Sequence, residues 1–208
     1  MNIGILALQG AFIEHAAVLK RLGVEAREVR LPKDLDRLDG LIIPGGESTT
    51  IGKLAVKYGL MDPLRQMARS GRPMWGTCAG LIFMAKDAGR DQPLLGLMDV
   101  TVRRNAFGRQ VDSFEADLSI KGIEGPRPFH AIFIRAPLIE RVGAGVEVLS
   151  QVEQNGGPAI VAARQGSLLA TSFHPELSGD DRVHRLFLSM AKDSSKYNFR
   201  PKTKDERR

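Results

Sequence analysis

The sequence predicts an α/β domain whose sheet is mostly parallel, with an antiparallel addition in its second half. Three observations carry this. Strand-length apolar runs alternate with helix-length amphipathic stretches through the first half, the pattern of parallel strands joined by helical crossovers. From about residue 100 onward short strands are broken by Gly and Pro turns, the habit of antiparallel pairing. The length of 208 residues, with 43% hydrophobic and 26% charged residues, suits a core of ordinary globular composition.

In chain order, residues 2–8 form an apolar stretch suited to a strand covered on both faces. Phe12–Leu22 places apolar residues at 12, 13, 16, 18, 19 and 22, close to helical spacing, and Gly23 is the stop. Val24–Val29 alternates as a strand, and Gly40–Pro44 is a short buried strand ending at Gly45-Gly46. Glu47–Tyr58 and Asp62–Ser70 read as helices, with Pro63 at home in a first turn. Pro73–Gly76 leads into Cys78, and Leu81–Lys86 is apolar enough for a buried helix. Val100–Arg104, Ser113–Ile120, Phe129–Ala136, Val146–Val152, Ala159–Arg164 and Ser167–Ser172 read as strands, the last two as a hairpin about Gln165-Gly166. Asp180–Ala191 closes the fold as a helix.

The domain is therefore expected to span residues 1–191, followed by a solvated, mobile basic tail over 192–208. From Lys192 to Arg208 there are seven Lys or Arg against three acids, so most of the +6 net charge belongs to the tail and the body is nearly neutral. That distribution argues against a nucleic-acid partner. No apolar run approaches the roughly 20 residues of a membrane-spanning helix. The N-terminus has no basic lead or apolar signal core, and the single cysteine excludes an intramolecular disulfide. A soluble, cytoplasmic protein without membrane partner, metal or cofactor is expected.

The chemistry centres on Gly76-Thr77-Cys78-Ala79-Gly80, between an apolar strand and an apolar helix. A nucleophile on such a sharp strand-to-helix turn needs small residues on both sides, and the turn leaves its side chain exposed. The helix dipole favours a thiolate there, and the next backbone N–H, that of Ala79, is free to hold an oxyanion. A lone cysteine is more often inert packing, but glycines at both −2 and +2 favour the nucleophile. Of the four histidines, His15, His130 and His184 read most simply as surface or packing residues. His174 differs, since Pro175 biases it towards extended backbone and Glu176, two residues on, then lies on the same side. Glu176 can set the imidazole tautomer while the other ring nitrogen faces Cys78, which makes a triad in the order Cys, His, Glu. Pro44-Gly45-Gly46-Glu47-Ser48-Thr49-Thr50 lacks the P-loop lysine pattern and G-x-G-x-x-G, so beside a cysteine nucleophile an oxyanion donor from Gly46 is the better reading.

These residues resemble the class I, triad-type glutamine amidotransferases, and within them the glutaminase subunits of pyridoxal 5′-phosphate synthase. The narrower likeness rests on Gly4-Ile5-Leu6-Ala7-Leu8-Gln9-Gly10-Ala11 with Glu14-His15, the Pro44–Thr50 loop, and Trp75–Gly80. It continues through Arg104–Gln110 with Asp112–Glu115, then Phe133-Ile134-Arg135-Ala136-Pro137, and Phe173-His174-Pro175-Glu176. The elbow and the His-Pro-Glu segment specify only the superfamily; the Gly-Gly-Glu-Ser-Thr loop and the Arg104–Glu115 block are more selective.

The resemblance implies a flavodoxin-like three-layer domain that hydrolyses L-glutamine to L-glutamate and ammonia. Cys78 would form a γ-glutamyl thioester, His174 would move protons with Glu176 holding it, and the N–H groups of Gly46 and Ala79 would stabilise the oxyanion. Arg104 and Arg135, with Ile134, Gly46, Glu47 and Ser48, would hold the amino-acid end of the substrate. A neighbouring arginine, Arg103, competes with Arg104 for that carboxylate. The resemblance also implies a hetero-oligomeric complex with a (βα)8 barrel synthase subunit that consumes the ammonia, weak activity until that partner orders the Gly45-Gly46 loop, and contacts from Gln9, Gly10 and the first helix. Two other readings stay open here. One is the glutaminase subunit of another amidotransferase, such as imidazole glycerol phosphate synthase. The other is a non-enzymatic redox sensor on the same scaffold, which would need neither the His-Pro-Glu segment nor the arginine pair.

Overall fold

The computed structural model describes residues 1–104, 113–154 and 157–196. The first half alternates as the sequence predicts: β1 (Asn2–Leu6), α1 (Phe12–Arg21), β2 (Glu25–Val29), β3 (Gly40–Ile43), α2 (Ser48–Lys57), α3 (Met61–Arg69), β4 (Met74–Thr77) and α4 (Ala79–Met84). Next come β5 (Ala85–Asp87), β6 (Met98–Arg103), β7 (Ser113–Leu118), β8 (Phe129–Ile134), β9 (Leu138–Val142), β10 (Glu147–Gln154), β11 (Gly157–Gln165), β12 (Leu168–Thr171) and α5 (Arg182–Lys196).

The main sheet runs β2-β1-β3-β4-β12-β11-β9-β6-β5, with β10 paired to β11. From β2 to β12 every pairing is parallel. Beyond β12 the pairings to β11, β9 and β6 are antiparallel, and β7–β8 form a separate antiparallel ribbon. The expected mostly parallel sheet with an antiparallel addition is what forms, and the β11–β12 hairpin turns at Gly166, whose φ is +57°.

Alternate residues of each parallel strand enter two separate cores, which is why these strands read as continuous apolar runs. Ile3, Ile5, Ile42 and Trp75 pack on one side with Leu19 of α1 and Phe187 of α5. Leu6, Leu41, Ile43 and Met74 pack on the other with Ile51, Leu64 and Leu81 of α2, α3 and α4. The sheet is thus the middle of three layers.

Three elements depart from expectation. Two short strands, β5 and β9, went unpredicted. Ala85–Asp87 reads as the end of the preceding apolar helix, and Leu138–Val142 carries Glu140 and Arg141 in a stretch too polar to stand out. Both become strands by pairing with β6. The closing helix also continues past Ala191 to Lys196. Residues Asn105–Gln110 and Asp112 of the selective block, and the expected tail from residue 197 on, lie outside the described residues.

Candidate active site

Four parallel strands deliver the site at their C-terminal edge, where open α/β sheets bind ligands. β1 leads to Gln9–Ala11, β3 to the Pro44–Glu47 loop, β4 to Cys78 and β12 to His174. They line a cleft of about 460 Å³ together with Ser48, Ala79, Arg104, Ile134 and Arg135. Every residue predicted for glutamine binding and for the oxyanion therefore faces one cavity. Of the expected triad residues, Cys78 and His174 line it, and Glu176 stands behind His174.

Cys78 is held at φ +47°, a left-handed conformation unfavourable for a side chain with a Cβ. Its N–H donates to the Thr171 carbonyl of the neighbouring strand at 2.8 Å, which pins the turn. The flanking glycines are required by space. A Cβ on Gly76 would stand 2.5 Å from the Gly80 carbonyl carbon, and one on Gly80 would stand 2.0 Å from the Ile43 carbonyl oxygen. The Cys78 sulfur lies 3.9 Å from the Ile134 carbonyl oxygen, and Ala79, next in chain, begins α4 with an N–H that has no acceptor within the helix.

His174 lines the cleft beside Cys78, and its Nδ1 donates to Glu176 Oε1 at 2.7 Å. Its backbone N–H donates to the Ile132 carbonyl at 2.8 Å, fixing the stretch before Pro175. Burial lowers the imidazole's affinity for a proton, but the Cys78 sulfur and the Glu176 carboxylate outweigh it and push His174 up to about 10. Burial likewise raises the Glu176 carboxyl, and the imidazoles of His15 and His174 on either side reverse this, leaving it below the ordinary glutamate value. Gly45 supplies the closeness on the other face of the ring, since a Cβ there would meet His174 Cε1 at 2.4 Å.

The Pro44–Glu47 loop is clasped from the segment after β1. Gln9 Oε1 accepts from the Glu47 N–H at 2.6 Å, and the Ala11 N–H donates to the Gly45 carbonyl at 3.0 Å. Gly10, at φ +104°, is essential to this approach, because a Cβ would fall 1.8 Å from that carbonyl oxygen. Gln9 and Gly10, expected as partner contacts, thus have a task within the chain.

Glu47 caps α2. Its carboxylate accepts from the Thr49 and Thr50 N–H groups at 3.1 and 2.7 Å, from Thr50 Oγ1 at 2.8 Å and from Arg104 Nη2 at 3.1 Å. Partial burial pushes the carboxyl up, and these donors pull it down to about 2. Arg104 donates its Nη1 to Thr49 Oγ1 and Gln92 Oε1. Of the adjacent arginines, Arg104 lines the cleft while Arg103 pairs with Glu140 at 3.1 Å. Arg135 reaches the cleft from a strained turn, at φ +44°.

Two histidines missed by sequence reasoning stand behind His174 and Glu176. His15 and His184 are both fully buried, neither lining the cleft, and their ring nitrogens lie 3.0 Å apart across 169 residues of sequence. His15 Nε2 is 3.4 Å from Glu176 Oε2. The signal was present only in part: His15 belongs to the N-terminal motif, but helical spacing does not distinguish a packed histidine from a wired one. His130, by contrast, is half-exposed, between Glu115 and Asp117 at 2.8 Å each.

An open sheet of this order, with the cysteine turn at its carboxyl edge, is the architecture of the glutamine amidotransferases. A solved structure described as a glutamine amidotransferase matches 91% of this chain and 98% of its own at a TM-score of 0.85 and 52% identity. PurLQS from Thermotoga maritima shares the fold, with a TM-score of 0.62 at 16% identity over 93% of this chain and 98% of the matched one. More particularly, the chain belongs to the SNO glutamine amidotransferase family, whose model matches residues 5–193. Among curated relatives, the pyridoxal 5′-phosphate synthase subunit PdxT of Herpetosiphon aurantiacus is 58% identical over 194 residues, covering 91% of this chain and all of that protein. The protein of the same name from Roseiflexus sp. is 55% identical over 193 residues, again 91% of this chain and all of the relative. Among the described residues no helix is long and apolar enough to cross a membrane.

Proposed function

We propose that this chain is the glutaminase subunit of a pyridoxal 5′-phosphate synthase, hydrolysing L-glutamine to L-glutamate and ammonia. The observation that carries the reading is His174, its Nδ1 2.7 Å from Glu176 Oε1, beside Cys78 at the wall of a cleft bearing Gly46, Glu47, Arg104 and Arg135. The relatives named PdxT, matched over their whole length, support the particular pathway.

In this mechanism the Cys78 thiolate attacks the side-chain amide carbon of glutamine. The resulting oxyanion takes hydrogen bonds from the N–H groups of Ala79 and Gly46, and His174 gives its proton to the departing nitrogen as ammonia leaves. The γ-glutamyl thioester is then attacked by water, which His174 deprotonates, and the C–S bond breaks to release glutamate and the thiolate. Glu176 stabilises the imidazolium in both halves. The guanidinium groups of Arg104 and Arg135 suit the substrate's α-carboxylate. Arg104 would then exchange its bonds to Glu47, Thr49 and Gln92 for the ligand.

The ammonia passes to a separate synthase subunit, which is a (βα)8 barrel in a hetero-oligomeric complex in the cytoplasm, and whose docking orders the Gly45-Gly46 loop. The test is ammonia release from L-glutamine by the chain alone and after mixing with a pyridoxal phosphate synthase subunit. Low activity that rises sharply on mixing, and its loss in Cys78→Ser with complex formation intact, is expected. Activity indifferent to the synthase would sink the pathway, and none from folded, complexed protein would sink the triad.

A further inference from the structure

The Glu176 carboxylate has two oxygens, and the triad uses one. Oε1 accepts the His174 Nδ1 proton. Oε2 is buried with no hydrogen-bond partner, and His15 Nε2, whose own hydrogen bond goes to Thr77 Oγ1, stands 3.4 Å from it. Neither side chain has any solvent exposure, so a charge left bare here would be costly. The His15 ring lies between Glu176 and His184: Nε2 also sits 3.4 Å from Thr77 Oγ1, while Nδ1 is 3.0 Å from His184 Nε2. Trp75 meets both rings edge-on, at centroid distances of 5.5 and 4.9 Å, and fixes their planes.

Proton placement follows from these contacts. An ionised Glu176 requires N–H, not a lone pair, on His15 Nε2. If the ring is neutral, Nδ1 is then an acceptor, and His184 must present its own Nε2–H to it. That leaves His184 Nδ1 as a bare acceptor, and it is the nitrogen that is buried with no partner. Burial keeps both rings below the ordinary histidine value, and the carboxylates of Glu176 and Glu14 do not restore His15. The other charged groups facing the pair, the His174 cation and Arg21, also disfavour protonation.

We propose that His15 is a positioning residue for the glutaminase triad, its Nε2–H accepted by Thr77 Oγ1 and held beside Glu176 Oε2, and itself kept in that tautomer by His184. The chain His184–His15–Glu176–His174–Cys78 then runs from the α1–α5 face of the sheet through to the cleft. This rests on the triad reading of Cys78, and the tests separate the two.

Two variants differ in one respect. His15→Met fills the volume without a donor, whereas His15→Gln carries an amide N–H₂ at about the same reach. Cys78 is the chain's single cysteine, so its alkylation by iodoacetamide at pH 7 reads the ion pair without synthase or substrate. An N–H held beside a buried charge supports roughly a tenfold to hundredfold effect. His15→Met is expected to slow alkylation about tenfold or more and to lower the His174 titration, read by NMR, from about 10 by at least about one unit. His15→Gln is expected to restore most of both. In the complex, kcat for glutamine should fall with KM nearly unchanged. Because His15→Met could fail to fold, the wild type provides a second reading: nitrogen shifts of His15 and His184 should report neutral Nε2–H tautomers between about pH 6 and 8. An Nδ1–H tautomer or a cation at His15 overturns the proposal, as does a folded His15→Met with wild-type alkylation and His174 titration. A wild type whose Cys78 reacts like an ordinary thiol, with His174 titrating near its usual value, would instead overturn the triad beneath it.

Discussion

Replacing Gly45 by alanine tests the site with one methyl group. The added Cβ would stand 2.4 Å from His174 Cε1, 3.0 Å from Nδ1 and 3.4 Å from the Cys78 Cβ. Ordinary carbon–carbon contact begins near ~3.5 Å, so the ring must retreat by roughly 1 Å. Its backbone cannot follow freely, because the His174 N–H is bonded to the Ile132 carbonyl and Pro175 stiffens the next residue. The shift therefore falls on the imidazole, and either the 2.7 Å bond to Glu176 or the contact with Cys78 lengthens. A 1 Å misplacement of a reacting group costs on the order of 100-fold in rate, about 2.7 kcal/mol of barrier. Overpacking costs folding roughly 1–3 kcal/mol, which a domain of this size registers as a fall of several degrees in Tm. Ammonia release by the synthase complex at saturating glutamine, thermal unfolding and the His174 NMR titration together check this. We expect kcat to fall about 100-fold in a folded variant, with His174 titrating below about 10. A folded Gly45→Ala within about threefold of wild-type kcat would refute the claim that Gly45 sets the ring's position.

Three further outcomes follow from the same contacts. Arg104→Ala should raise KM for glutamine about tenfold or more, while Arg103→Ala, which loses only an exposed pair with Glu140, should leave it within about twofold in steady-state assays. Glu47 titrates below its unfolded value, so its stabilising effect is fully present above about pH 4.5 and is lost as pH falls through about 2. Glu47→Gln should therefore unfold at lower temperature than wild type at pH 7, and the gap should close by about pH 2. His184 is held to about 2, below its unfolded value, so the unfolded chain binds the extra proton and stability drops as pH falls below about 6.5. The loss in Tm between pH 7 and pH 5 should accordingly be smaller in His184→Gln than in wild type.

Much of this protein was legible in short-range pattern. The parallel strands are unbroken apolar runs because both faces are buried, and burial on two faces is a property that each strand carries in its own residues. The cysteine turn was readable because its requirement is local: Gly76 and Gly80 must be small where helix and strand cross within five residues. His174 and Glu176 were paired for the same reason, two residues apart in extended chain. Tertiary structure alone decided the rest. Leu138–Val142 and Ala85–Asp87 became strands only because β6 offered an edge to pair with, which outweighs their weak intrinsic signal. That Gln9 clasps the Glu47 amide, and that Arg104 rather than Arg103 faces the cleft, depends on how strand ends meet in space. His15 and His184 read as unremarkable helix residues, and became a buried pair behind Glu176 because α1 and α5 close on the same face of the sheet. Local sequence can state which conformations a segment tolerates; which buried polar atoms find each other depends on contacts that no window of sequence contains.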